Sequence, residues 1–212
     1  MTALDSLQQE VLEAFFGMER RFFLTGGAAL AGFHLRHRRT LDLDLFTTED
    51  VLDQGESTLR VVAQRIGASL ESLRTSPTFH RFLLRRGAAS VVVDLVRDLA
   101  PQIEDVKQEI GPIRVDSPRE IMANKLCALL CRAELRDLVD VRALEAAGYA
   151  AEEHVSLATR KDAGLTPAQL AWVLSRVEIG DDAVPPGGVS VADLRAYLTD
   201  LGQRLASLAF PE

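Results

Sequence analysis

Two glycines and two aspartates, set close together near the start of the chain, tie a fold to a site. The stretch runs Thr25-Gly26-Gly27-Ala28-Ala29-Leu30, then Thr40-Leu41-Asp42-Leu43-Asp44-Leu45-Phe46. Side chains on a β-strand alternate between its faces, so Asp42 and Asp44 share one face while Leu41, Leu43 and Leu45 turn toward a core. The two carboxylates then stand about 7 Å apart, close enough to chelate a shared pair of divalent cations. Burying them without a counter-charge is costly. An isolated Asp-x-Asp also fits a solvated edge strand, but the flanks argue for more. Residues 21–25 read as a short buried strand and residues 28–34 as a helix, so Gly26 and Gly27 fall where a strand turns into a helix amino terminus. There the missing Cβ atoms let backbone approach a ligand, and free N–H groups with the helix dipole attract anions.

Composition agrees with a modest enzyme. The 212 residues are long enough for a real core in one compact unit or two small lobes. No apolar run nears the roughly 20 residues of a membrane span. The opening Met1-Thr2-Ala3-Leu4-Asp5 lacks the basic and apolar regions of a signal peptide. Cys127 and Cys131, the only cysteines, are four apart in an expected helix without further zinc ligands. They read as two reduced, packed thiols of a cytoplasmic protein.

Net charge is −7, which argues against a nucleic-acid partner, although global charge averages over local patches. Two basic stretches nonetheless flank the acid strand: His34-Leu35-Arg36-His37-Arg38-Arg39, and a cluster of Arg74, His80, Arg81, Arg85 and Arg86. They fit solvated faces or RNA contacts equally well. Neither shows the interleaved aromatics of a single-strand stacking platform.

Helical spacing marks residues 4–20 and, despite Gly55, residues 49–66. Strand patterns occur at 22–25, 41–46, 69–75, 79–86, 88–96 and 113–115, with Gly111-Pro112 breaking the run. Beyond that the character is helical: Ser117-Pro118-Arg119-Glu120 combines a capping serine, a first-turn proline and an acid three residues after the cap. Further helix starts fall at Thr166-Pro167 and after Ser190, and Val184-Pro185-Pro186-Gly187-Gly188 is the clearest linker. This divides the chain into an α/β part, residues 1–116, and a helical part, residues 117–212. Within the apolar run around it, Asp94 needs a metal, a hydrogen-bond network, protonation or a neighbouring helix to cap.

The glycine turn, helix and Asp-x-Asp strand resemble the nucleotidyltransferase superfamily that includes DNA polymerase β. More narrowly, TGGAALAGFHLRHRRTLDLDLF is similar to the AbiEii/AbiGii toxin branch, bacterial toxin–antitoxin and abortive-infection nucleotidyltransferases. EIMANKLCALLCRAELRDLVDVRAL resembles that branch's helical signature. The resemblance implies an α+β fold, a mixed nucleotidyltransferase-like sheet flanked by helices and followed by a helical lobe. It implies two Mg²⁺ ions held by Asp42, Asp44 and Asp94, with Asp94 as base toward the attacking hydroxyl. Gly26 and Gly27 would seat the triphosphate of an NTP. Ala28 stands where some members place a hydroxyl, and Thr25 supplies one from the other side of the turn.

In the helical part, spacing alone leaves Lys125 beside an apolar stripe, where it snorkels to solvent. Arg132 shares its face, and Asp137 and Asp140 are helical neighbours that fit ion pairs with Arg132 or Arg136. The resemblance instead makes Lys125 a catalytic residue that contacts the nucleotide phosphates, joined by Arg132 and by Asp137 or Asp140. The implied activity is transfer of a nucleotide to RNA, with the tRNA 3′ end as the branch's precedent and a cognate antitoxin as restraint. The same fold also serves protein or small-molecule acceptors, and a non-catalytic nucleotide-binding protein is the remaining alternative.

Overall fold

The computed structural model describes residues 4–210. The amino-terminal reading at Met1–Ala3 and the last two residues lie outside the described residues. Two compact units divide the chain: residues 1–99 with 104–117, and residues 100–103 with 118–212.

The first unit is built on a mixed sheet of seven strands, which makes the fold α+β. Its strands are β1 (Phe23–Thr25), β2 (Asp42–Thr47), β3 (Ser69–Ser76), β4 (Phe79–Arg86), β5 (Ala89–Arg97), β6 (Gln108–Ile110) and β7 (Ile113–Val115). They lie in the order β3-β4-β5-β2-β1-β7-β6. β2 runs parallel to β5 and antiparallel to β1, and β1 runs parallel to β7. The strict alternation of β2 fixes its register, because a one-residue slip would carry its leucines out of the core. Leu43 and Leu45 are fully buried with Val93, Leu95, Phe82 and Leu84 of the neighbouring strands.

Helices α1 (Ser6–Phe16) and α3 (Leu52–Arg65) pack against this sheet. A capping box opens α1: Gln8 N–H donates to Asp5 at 2.8 Å, and Asp5 N–H donates to the Gln8 side chain at 2.9 Å. The same Gln8 amide donates to the Thr40 carbonyl at 3.0 Å, tying α1 to the approach to the acid strand. The apolar spacing extends this helix to Arg20, but Gly17 caps it directly after Phe16. Phe15 meets Phe16 and Phe22 edge-on, with centroids 5.7 and 5.5 Å apart. Gly55 is required by packing: a Cβ there would stand 2.5 Å from Phe22 Cζ. β6, which the sequence pattern does not mark, pairs with β7 across the Gly111 turn.

The second unit is helical: α4 (Pro118–Cys131), α5 (Leu135–Ala146), α6 (Ala151–Lys161), α7 (Pro167–Leu174) and α8 (Val191–Ala209). Thr166 and Ser190 cap α7 and α8 by accepting from Gln169 N–H at 3.1 Å and Asp193 N–H at 3.0 Å. Pro118 opens α4, but Glu120 does not turn back on the cap. It is fully buried, accepts from Ile103 N–H at 3.0 Å and pairs with Lys161 at 2.5 Å, because a buried carboxylate needs a cation. The Pro185–Gly188 region forms a 3₁₀ turn at Pro186–Gly188 inside this unit. Arg204 of α8 joins Glu145, Glu152 and Asp200, and Tyr197 donates to Glu145 at 2.7 Å. Cys127 and Cys131 are both free. Burial pushes the Cys127 thiol up to about 11. Cys131, at the last turn of α4, is exposed rather than packed.

Candidate active site

Thr25, Asp44, Asp94, Arg81 and Arg74 form one cross-strand row. Thr25 is the partner of Asp44, Asp44 of Asp94, Asp94 of Arg81 and Arg81 of Arg74. Directly opposed residues project from the same face, so all five share the face opposite to the buried leucines, at intervals of about 4.8 Å. Asp42 lies on this face two residues along β2. The neighbouring row is mostly apolar: Phe23, Phe46, Val96 and Phe79.

The turn after β1 meets this row closely. Gly26 adopts φ +62°, a left-handed conformation that favours glycine. A Cβ at Gly26 would lie 2.3 Å from Asp44 Oδ2, so the carboxylate occupies the space that the missing side chain leaves. Gly27 is equally closed, by the Arg38 guanidinium: a Cβ there would stand 2.5 Å from Nη2. The following helix, α2 (Gly26–Ala29), passes into a π-helical turn at Leu30–His34, a distortion common at functional sites. His34 ends that turn bonded to the Asp116 carbonyl at 2.8 Å, and burial holds its pKa below the ordinary value.

Asp94 is 3 % exposed and both its oxygens accept from Arg81, Oδ1 from Nε at 2.8 Å and Oδ2 from Nη2 at 2.7 Å. That bond, with the charges of Asp94, Asp42 and Asp44, raises the Arg81 pKa above its usual value against the effect of burial. Thr40 donates to Asp42 Oδ1 at 2.9 Å. The Thr25 hydroxyl is buried and has no hydrogen-bond partner.

The donor set is carboxylate and hydroxyl oxygen, which suits a hard divalent cation such as Mg²⁺. The orphaned Thr25 hydroxyl lies in the same cross-strand row as Asp44 and Asp94, and the absent Gly26 side chain leaves room for the Asp44 carboxylate itself. Among the described residues no three acids already converge as a closed metal cluster, and Arg81 supplies the positive charge at Asp94. Each Asp94 oxygen keeps a lone pair beyond its bond to Arg81. The residues therefore fit such an ion by donor type.

Strand alternation disperses the basic cluster. His80 falls on the core face, 4 % exposed and 3.2 Å from Glu56. Arg85 pairs with Glu71 at 2.9 Å and Arg86 with Glu10 at 2.5 Å. Arg74 and Arg81 instead lie over the Phe79 ring, 5.7 and 5.4 Å from its centroid. An aromatic is thus interleaved with the arginines, contrary to the reading from composition. No sequence motif marks the placement of Arg81 and Phe79 beside the acids or of Arg38 against Gly27. The period-two pattern from Phe79 does put Phe79 and Arg81 on one face.

In the helical unit, Lys125 is buried and donates to Asp137 at 2.8 Å, and it lies 2.7 Å from Asp140. Arg132 grips Asp137 with Nε at 2.8 Å and Nη2 at 3.1 Å. Burial favours neutral Lys125, but Asp140 and Asp137 outweigh it and raise its pKa. Burial also opposes ionised Asp137, whose pKa is nevertheless lowered by Arg132 and Lys125. Lys125 therefore does not snorkel, and both acids join it. Arg136 pairs with Glu134 at 2.7 Å. α4 and α5 are separate helices, broken at Ala133, which takes φ +46°.

Among the described residues no helix is long and apolar enough to cross a membrane. Solved structures of similar fold include JHP933 from Helicobacter pylori, at 20% identity over 96% of this chain and 90% of that one, with a TM-score of 0.63. They also include MenT4, a nucleotidyltransferase toxin from Mycobacterium tuberculosis, at 16% identity over 95% and 86% of the two chains, with a TM-score of 0.59. No curated protein matches. The profile of the family described as nucleotidyl transferase AbiEii toxin, type IV toxin–antitoxin system, matches residues 10–200. With that match over most of its length, the chain belongs to the AbiEii nucleotidyltransferase toxin family.

Proposed function

We propose that this chain transfers a nucleoside monophosphate from an NTP to the 3′-hydroxyl of an RNA, with tRNA as the acceptor class, in a Mg²⁺-dependent reaction in the cytoplasm. The observation that carries the reading is the alignment of Asp44 with Asp94, beside the unpartnered Thr25 hydroxyl and the Gly26–Gly27 turn. The chemistry belongs to the amino-terminal unit. Backbone N–H groups of the glycine turn and the Thr25 hydroxyl bind the triphosphate. Asp42 and Asp44, with Asp94, would hold a pair of Mg²⁺ ions. When bound, these neutralise charge on the transferring phosphate and lower the pKa of the attacking hydroxyl.

The acceptor oxygen forms a bond to the α-phosphorus while the α–β phosphoanhydride bond breaks. Pyrophosphate leaves with the bonding pair, and the hydroxyl proton passes to an Asp94 oxygen through the lone pair that Arg81 leaves available. Lys125, Arg132, Asp137 and Asp140 serve NTP binding. Arg132 is the accessible member, with its side chain 46% exposed, so a phosphate reaches it first. Membership in a type IV toxin–antitoxin family supports a cognate antitoxin as the partner that restrains the activity.

The test is incubation of purified protein with each labelled NTP, Mg²⁺ and total RNA, alongside protein acceptors. Labelled RNA is the expected product, with none from Asp44→Asn. Label on protein alone would redirect the acceptor, and no label with any NTP would remove the reading. Mn²⁺ titration by calorimetry supplies a second readout, in which Asp42→Asn and Asp44→Asn each lose binding.

A further inference from the structure

We propose that Phe79, Arg74 and Arg81 form the docking platform for the single-stranded 3′ end of the acceptor RNA. This rests on the nucleotidyl-transfer reading of the acid row and adds where the acceptor sits.

The position follows from strand order. The glycine turn closes β1, the acids stand on β2 and β5, and Phe79 and Arg81 stand on β4 with Arg74 beyond them on β3. Thr25 and Arg81 are three strand spacings apart, about 14 Å, with Asp44 and Asp94 between them. In-line displacement needs the attacking hydroxyl opposite the leaving pyrophosphate. With the triphosphate on the glycine side, the acceptor has to arrive from the β4 side. The ring and guanidinium groups found there belong to that half of the reaction and are too far across the sheet to serve the glycine turn.

The chemistry fits an unpaired nucleotide. Phe79 is half-buried, adjoins Val96 in the apolar row, and carries the Arg74 and Arg81 guanidinium groups at 5.7 and 5.4 Å. A base stacks on an aromatic ring or on the plane of an arginine, and the same arginines attract the phosphate beside it. Arg81 has a second attachment, since it also holds Asp94. A strand end stacked on this cluster therefore brings its terminal hydroxyl to the third acid. The other arginines of β4, Arg85 and Arg86, are committed to Glu71 and Glu10 and add little net charge. The overall negative charge of the chain is thus compatible with a small, local contact for one strand end.

The probe is a short fluorescent single-stranded RNA with a free 3′-hydroxyl, titrated by anisotropy against the full chain. Nucleotide affinity is measured separately with a non-hydrolysable NTP and Mn²⁺. Wild-type protein is expected to bind the single strand more tightly than a blunt RNA duplex. Phe79→Ala should weaken that binding by roughly 5- to 150-fold and leave NTP affinity unchanged, while Phe79→Trp retains it. Arg74→Gln should lower the slope of log affinity against log salt by about 0.7. Circular dichroism checks that each variant is folded, and Phe79→Leu, which keeps apolar bulk without a ring, should bind as poorly as Phe79→Ala. Unchanged RNA affinity in folded Phe79→Ala, equal binding of the duplex, or no single-strand binding by wild type would each overturn the platform. Failure of wild type to bind NTP would overturn the reading of the acid row instead, while the RNA titration still decides the platform.

Discussion

One guanidinium, that of Arg81, binds both carboxylate oxygens of Asp94, at 2.8 and 2.7 Å. The pair stands directly opposite on adjacent strands, and Asp44 stands opposite Asp94 on the other side. The third acid is thereby held in a set direction by its own sheet, with its charge already balanced.

A divalent cation at these acids works against that positive charge. Arg81→Gln should therefore tighten Mn²⁺ binding by at least about fivefold, since even ~1 kcal/mol of repulsion between a guanidinium and a divalent cation corresponds to that factor. Calorimetric titration of the folded variant reads it directly. Weaker binding would show that Arg81 assists the ion by orienting Asp94.

Gly26→Ala tests the close approach of turn and acid. The left-handed backbone costs about 1–2 kcal/mol for a residue with a Cβ, and the added methyl displaces Asp44 from 2.3 Å away. Urea unfolding should show that loss, and nucleotidyl transfer should disappear with it. A variant with full activity would separate the turn from the chemistry.

Lys125→Met leaves Asp137 and Asp140 buried without the ammonium that both of them contact. Removing one partner of a buried pair typically costs about 3–5 kcal/mol. Arg132→Gln, in a half-exposed position, should cost far less stability and mainly weaken NTP binding. Chemical denaturation and nucleotide titration of the two variants distinguish support from recognition.

Stability should also fall in acid through Glu145. Burial alone would raise its pKa, but Arg204, Tyr197 and the Ala151 N–H together hold it lowered. A carboxylate lowered in the folded state stabilises the protein above its unfolded value, about 4.3, and that contribution is lost as pH falls from there through the folded value. Glu145→Gln should be less stable at neutral pH and show a flatter decline across this acid window in urea titrations. An unchanged slope would exclude Glu145 from acid unfolding.

Much of the sheet was legible because its signals are local. Asp42-Leu43-Asp44-Leu45 carries its register in its own alternation, and Thr166-Pro167 and Ser190 announce the helices that they cap. The break at Ala133 was not legible, since no glycine or proline marks it. β6 escaped because Gln108 and Glu109 leave it a single apolar residue, Ile110, and no alternation. The Arg81–Asp94 bond and the Phe79 cluster depend on which strands become neighbours, which sequence spacing does not encode. The same holds for Glu120, whose partner Lys161 lies on a different helix.

Because β2 alternates buried leucines with outward aspartates, the proposed metal site and the core share six consecutive positions and respond differently to genetic change. Inserting or deleting one codon within β2 flips the residues beyond the change to the opposite face and carries core leucines outward. Exchanging one of these aspartates for asparagine leaves the buried leucines in place and, on the proposed chemistry, should yield an inert but folded protein. On the proposed chemistry a single point substitution would thus disarm this toxin-family chain while leaving a folded copy able to occupy whatever the active form binds.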